Sequence, residues 1–308
     1  MEGQHDADEA QDVEAQDIGD EQSSDPRSQD VDNKITSEAK EINFEYRPPT
    51  AEWPEEGAIF IKDLRMRYRE DLDFVLDGLS VDIKPGSKVG IVGRTGAGKS
   101  SLLIALYRLV EPSPGSVMEI DGVDCLRLGL KDLRSSLSII PQEPVLFSGT
   151  LRFNLDPFGE RSEEEIWSVL RKCELFEFVN SKEEKLDFAV SEGGGNFSAG
   201  QKQLVCIGRA LLKKSKVLAL DEATSSIDKH TDSLIQTLIR KEFESITVLC
   251  IAHRLETIID YDQIMVLSKG RIIEYGPPQE LLENKDGEFY GMVHSGDDDK
   301  KQGGSDKK

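Results

Sequence analysis

The 308-residue chain holds 59 Asp and Glu against 38 Lys and Arg, a formal net charge of −21. That balance argues against a nucleic-acid surface, because neutralising phosphates takes clustered cations. No apolar run approaches the roughly 20 residues that cross a bilayer, so the expectation is a soluble chain of one large domain or two small ones. The acid excess is concentrated at the start, where residues 1–40 hold thirteen Asp and Glu against three Lys and Arg. With few aromatic or β-branched residues, that acidic segment is expected to be disordered. It also lacks the basic start and apolar core of a signal peptide. Cys125, Cys173, Cys206 and Cys250 are scattered without a C-x-x-C pair. Free thiols in a reducing compartment are expected rather than a metal site or disulfides.

Residues 41–57 read as a Pro-rich linker, with Pro48, Pro49 and Pro54 close together, and folded structure is expected from Ala58. Ala58–Tyr68 and Phe74–Ile83 read as strands of an antiparallel layer, and Lys84–Ser87 as a turn. Lys88–Val92 reads as a buried strand, and Ser101–Leu109 as a helix with one apolar face. Gly115–Gly122 is hairpin-like, and Leu137–Gln142 is a short strand ending at a polar residue. From Ser162 the pattern turns helical, opened by a Ser162/Glu165 capping box. Gly193–Asn196 reads as a flexible loop. Ser198 with Gln201 makes a second capping box for a helix running to about Lys214; Gly208 inside it is expected to cost up to ~1 kcal/mol. Lys216–Glu222 is an apolar strand closed by two acids, followed by a helix near His230–Phe243, a strand Thr247–Ala252 and a hairpin turning at Lys269–Gly270. Such alternation predicts a parallel sheet covered by helices. The tail from residue 295 to 308 is polar.

The chemistry centres on Gly93, Arg94, Thr95, Gly96, Ala97, Gly98, Lys99 and Ser100, which fit the phosphate-loop pattern G-x-x-x-x-G-K-[ST] at every specified position. Strand, glycine loop and helix are the arrangement this chemistry needs. Glycines let the backbone wrap the phosphates, and free N–H groups at the helix start point at the anion. Lys99 would reach the β/γ-phosphates and the Ser100 hydroxyl would bind Mg²⁺. Asp221, at the end of an apolar strand, suits a Mg²⁺ site reached through water, and Glu222 stands where a general base for attacking water is useful.

Phe197-Ser198-Ala199-Gly200-Gln201, just before the Asp221 strand, resembles the signature loop of ABC transporter nucleotide-binding domains, usually Leu-Ser-Gly-Gly-Gln. Other positions resemble that family's loops: Tyr68 the adenine-stacking aromatic, Gln142 the Q-loop, Ser225–Asp228 the D-loop and His253 the switch histidine. The resemblance runs from about residue 42 to 294. Finer matches, among them Leu146–Arg152, Asn154–Pro157 and Ala252–Leu255, point to the second nucleotide-binding domain of subfamily C, the multidrug-resistance-associated group. The implied fold is α/β, a P-loop NTPase (RecA-like) core with an antiparallel β subdomain and an inserted α-helical signature subdomain at about 148–213, within an ATP-binding domain at 58–294.

The resemblance also implies a mechanism. Two such domains pair head to tail around ATP and Mg²⁺. One face of the nucleotide meets Tyr68, the loop from Gly93 to Ser101, Gln142, Asp221, Glu222 and His253. The other meets a partner's signature, as Ser198, Gly200 and Gln201 of this chain would serve the partner's site. Mg²⁺ would be held by Ser100, Gln142 and, through water, Asp221; Glu222, His253 and Gln142 are the candidate catalytic residues. A transmembrane partner domain, at the cytosolic face of a membrane, would export organic anions or conjugates, and the chain alone would be a weak, soluble cytoplasmic ATPase. Ala199 departs from the usual glycine, and a Cβ there bears on how fast hydrolysis runs at the site it serves. Soluble ABC proteins of translation or repair, which carry two ATPase domains and basic elements, fit poorly. The alternative is a non-transporting or regulatory ABC ATPase fragment.

Overall fold

The computed structural model describes residues 50, 52–221, 227–252 and 254–294, all in a unit that begins at Tyr46. The first layer is the expected antiparallel sheet. Strand β1 (Ile59–Met66) lies between β2 (Leu76–Ile83) and β4 (Val117–Ile120), and β5 (Val123–Asp124) closes the edge. Alternation along β1 buries Ile59, Ile61, Leu64 and Met66, with register shifts between Ile61 and Leu64 and between Leu64 and Arg65.

The second sheet has six strands in the order β12-β11-β3-β10-β9-β6. β3 (Lys88–Val92), β6 (Leu137–Ile140), β9 (Val217–Asp221), β10 (Thr247–Ile251) and β11 (Gln263–Ser268) run parallel, and β12 (Arg271–Gly276) is an antiparallel edge. The central strands are apolar without a break because both faces are covered. Their side chains divide by the period of two. Val92, Leu218, Leu220, Val248, Cys250, Ile264 and Val266 face one core. Val89, Ile91, Val217, Ala219, Leu249, Ile251, Met265 and Leu267 face the other. Truncating a fully buried residue such as Ile91 to alanine should cost about 2–5 kcal/mol.

That second core also holds β1, β2 and helix α1 (Lys99–Leu106). The helix begins two residues earlier than the apolar pattern suggests and stops three residues sooner. It is buried nearly all round rather than on one face, because it is packed within a core shared with both sheets. Its end is sealed where Arg108 turns left-handed (φ 47) and the Arg134 guanidinium donates to the Tyr107 and Arg108 carbonyls. Arg134 belongs to α2 (Leu130–Ser136), a short helix that periodicity does not announce.

The first core is capped by the helical layer: α3 (Leu151–Leu155), α4 (Glu163–Lys172), α5 (Phe176–Asn180) and α6 (Ala199–Lys213), with α7 (Lys229–Glu242) beside them. A two-stranded ribbon, β7 (Gly149–Thr150) with β8 (Ala189–Val190), ties its loops. Both expected capping boxes are present, Ser162 with Glu165 and Ser198 with Gln201. The glycine loop at 193–196 is a hydrogen-bonded turn. Asn196 accepts from the Ser191 N–H and donates to the Ala189 carbonyl. Folded structure also reaches back past Ala58. Trp53 is buried and its indole N–H donates to the Ile120 carbonyl at 2.9 Å.

Candidate functional site

Sheet register assembles the site. Ile251 of β10 pairs with Ile91 of β3 on one side and Asp221 of β9 on the other, and Leu220 pairs with Ile140 of β6. Gly93, Gln142 and Asp221 therefore all lie at the carboxyl ends of neighbouring parallel strands, the crevice where open α/β sheets take ligands. Ala252 and Arg254 follow the end of β10 in the chain. Glu222, His253, Ser225 and Ser226 lie outside the described residues.

The loop is shaped by its glycines. Gly93 has φ 150, and a Cβ on it would overlap the Leu267 carbonyl of β11. Gly98, the N-cap of α1, is left-handed with φ 104. Between them Ala97 N–H donates to the Arg94 carbonyl, and the Gly270 N–H of the β11–β12 turn donates to Ala97, bracing the loop from outside. Lys99 is only 9% exposed. Its ammonium points back into the loop, donating to the carbonyls of Gly93 at 2.8 Å and Arg94 at 3.3 Å. Helix α1 has neither a side-chain cap nor an acid in its first turn. Its leading N–H groups are thus left for an anion, which the helix dipole also favours. Arg94 reaches Glu288 at 3.2 Å, but Arg94 is 85% exposed and such a pair contributes little.

Tyr68 follows β1 and stays 45% exposed. Its hydroxyl lies 3.0 Å from Ser101 Oγ on α1, so the aromatic ring is tied directly to the phosphate loop. Thr95, Gly96 and Ser100 are exposed at the loop surface, and Ser101 is buried. Ser100 supplies a hydroxyl, Gln142 an exposed amide oxygen and Asp221 a half-buried carboxylate. That all-oxygen donor set suits a hard divalent cation such as Mg²⁺.

The signature residues are elsewhere on the chain. Ser198 Oγ accepts from Gln201 N–H at 3.1 Å, and Gln201 Oε1 accepts from Ser198 N–H at 2.9 Å. Ala199 is exposed and Gly200 is buried against Thr231 of α7. Among the described residues, the polar contacts of Ser198, Gln201 and Lys202 stay within 193–202 and none reaches the phosphate loop.

Sequence patterns did not point to several structural anchors. Buried Asn154 holds the loop after Gln142, exchanging bonds with Phe147 N–H and C=O and accepting from Arg209 Nη2 at 2.7 Å. Asp121 gathers the four consecutive N–H groups of Glu55, Glu56, Gly57 and Ala58 at 2.7–3.0 Å. Burial alone would raise this carboxyl, but the amides more than offset it and hold it below its ordinary value. The four cysteines are buried and unpaired. Burial pushes the Cys125 and Cys173 thiols up to about 12 and the Cys250 thiol to about 11, so none of these three is a thiolate near neutral pH.

The family model described as ABC transporter matches residues 76–225, from the first residue of β2 through β9. ABC transporter C family member 13 of Oryza sativa subsp. japonica is 55% identical over 260 residues, 84% of this chain. The chain belongs to the ABC transporter family. ATP-binding cassette sub-family C member 2 of Rattus norvegicus is 56% identical over 247 residues and covers 80% of this ABC domain chain. ABC transporter C family member 3 of Dictyostelium discoideum is 54% identical over 256 residues and covers 83%. A bacterial Atm1-family ABC exporter with ATP bound shares the fold, with a TM-score of 0.73, 31% identity and coverage of 87% of this chain and 48% of its own. The ABC domain chain spans about one sixth of its C-family relatives, 17%, 16% and 18% of the three named. It is an ABC-type ATPase domain with the P-loop core, antiparallel β layer and helical layer that the resemblance implied. Among the described residues no helix is long and apolar enough to cross a membrane.

Proposed function

We propose that the chain is the ATP-binding and hydrolysing motor of a C-subfamily transporter, corresponding to its second nucleotide-binding domain. The observation that carries this reading is Lys99, buried with its ammonium inside the 93–98 loop at the strand ends that also present Asp221. Such an arrangement binds a polyphosphate by positioning and charge neutralisation, which is most of what phosphoryl transfer requires. In this reading ATP lies along the loop with its base on Tyr68, and the α1 N–H groups with Lys99 hold the phosphates. Ser100, Gln142 and, through water, Asp221 would hold Mg²⁺, which would supply charge neutralisation at the phosphate oxygens. Glu222 orients and deprotonates the attacking water, and His253 contacts the γ-phosphate.

The self-contained signature turn supports a head-to-tail pairing, with Ser198, Gly200 and Gln201 offered to a second domain. The stretch after Gln142 exposes Val145, Phe147, Phe153 and Phe158, apolar side chains suited to a partner such as a membrane domain. Export of organic anions or conjugates follows from the subfamily. Because the proposed hydrolytic site needs a full signature from another domain, the chain alone should turn over ATP slowly.

Glu222→Gln tests the assignment. ATP binding, followed with a fluorescent analogue, should persist, while phosphate release falls by about 10²–10⁴-fold, the usual worth of a positioned base. Release at the wild-type rate would remove Glu222 from that role. Co-purification with a polytopic membrane protein tests the transporter assignment separately.

A further inference from the structure

One turn of α7 meets two of the loops assigned to the ATP sandwich. Asp228 caps the helix, its Oδ1 accepting from the His230 and Thr231 N–H groups at 3.0 Å. Its Oδ2 accepts from Thr231 Oγ1 at 2.8 Å, which fixes the Thr231 rotamer. Thr231 then stands so close to Gly200 that a Cβ on the glycine would lie 3.0 Å from both its methyl and its hydroxyl. The next residue, Asp232, is buried and accepts from Arg254 Nη1 at 2.8 Å. Arg254 directly follows His253 in the chain.

We propose that this turn is a relay: Thr231 and Asp232 are positioning residues that tie Arg254, next in sequence to the proposed switch histidine, to the signature turn at 198–201 of the same chain. The inference rests on the nucleotide reading of the site. Neither joint can slip freely. Asp232 Oδ1 has no hydrogen-bond partner among the described residues, so withdrawing Arg254 would strip this buried carboxylate of a charged side-chain partner, which is costly. At the other end, Thr231 packs on Gly200 with no room left even for a Cβ between them, and packed interiors transmit strain. A shift of Arg254 when nucleotide engages the switch loop therefore moves the first turn of α7 and, with it, the signature turn. In a head-to-tail pair that signature serves the other nucleotide, so one chain would carry the state of its own site to its neighbour's.

Hydrogen exchange on the full chain tests this, at a dilution where gel filtration shows a monomer, with ATP and a magnesium chelator to prevent turnover. Wild type should show ATP protection at amides 93–101 and an exchange change of about fivefold at 199–203, the low end of measured couplings between sites. The isosteric Asp232→Asn variant should keep the first response and lose the second. Thr231→Val, which removes the bond to Asp228 without changing volume, should do the same. A purely structural role would speed exchange equally with and without ATP and leave the 199–203 response intact, which overturns the relay. A silent 199–203 segment in wild type with a protected loop overturns it too. If ATP fails to protect 93–101 in wild type, the nucleotide reading falls and takes the relay with it.

Discussion

The two helix starts that the proposed ATP sandwich would use are built in opposite ways. Helix α1 opens on Gly98, left-handed and without a side-chain cap, so its leading amides are unclaimed by the chain. Helix α6 opens on Ser198, whose hydroxyl takes the Gln201 N–H while Gln201 takes the Ser198 N–H. The first start leaves its leading amides to an anion, whereas the second ties up two of its own in the capping box. The difference teaches which surface can bind on its own. α1 with Lys99 forms a cradle within one chain, whereas the α6 start offers only its outer edge and is suited to closing over a nucleotide already held by another domain. Lys99 itself turns inward, its ammonium donating to the Gly93 and Arg94 carbonyls.

The strongest way to break this contrast is Lys99→Ala. A charge-assisted hydrogen bond contributes about 1.5–3 kcal/mol, so ATP affinity should fall roughly 10–100-fold. Titration with a fluorescent ATP analogue reads this directly. Unchanged affinity would mean that the loop amides alone form the cradle.

A third cluster of amides shows what an anion in such a cradle does. Asp121 fills the four N–H groups of residues 55–58, and its carboxyl is held below its ordinary value. A lowered folded-state pKa adds stability above the unfolded-state pKa, and this is lost as pH falls through the folded value. The clasp should therefore be intact at neutral pH and open only in acid, below the usual carboxylate range near 4. Asp121→Asn should speed exchange at amides 55–58 by about tenfold at neutral pH, since a charged acceptor is replaced by a neutral one. After correction for intrinsic rates, wild-type protection should decline on acidification while the variant stays flat. A pH-independent wild type would remove the carboxylate from the clasp.

Much of this was legible in the sequence, and the exceptions share a cause. The phosphate loop, the two capping boxes and the parallel strands are local patterns, fixed by residues a few positions apart. The antiparallel layer was legible too, from alternation at residues 58–68 and 74–83. What escaped depends on partners far along the chain. Trp53 looks like part of a Pro-rich linker because Ile120 and the β4–β5 turn, which hold the 53–58 stretch, lie more than 60 residues away. Gly208 looks like a helix defect costing up to ~1 kcal/mol. In the fold, a Cβ there would come within 3.1 Å of Leu155 and 3.3 Å of Val169, so the missing side chain is what lets α3 and α4 close on α6. The apolar face of α1 was misread for a similar reason: only the assembled sheets show that its other side is covered as well. Arg254 and Asp232, 22 residues apart, have no local signal at all.

The smallest effect is the most discriminating, because Ser198 has two proposed duties that different substitutions separate. Ser198→Ala removes the cap, and losing an N-cap costs about 1 kcal/mol, a fall in Tm of roughly 2–4 °C for a domain of this size. Ser198→Asp keeps a good cap, since aspartate is as favourable as serine at that position, and thermal stability should stay near wild type. The same substitution places a negative charge where the signature would face another domain's γ-phosphate, and like charges meeting in an interface cost several kcal/mol. ATP-dependent pairing of the Glu222→Gln chain, measured by analytical ultracentrifugation, should therefore survive Ser198→Ala in weakened form and be lost in Ser198→Asp. If Ser198→Asp pairs as well as its parent, the α6 start is only a cap, and the contrast with α1 is structural rather than functional.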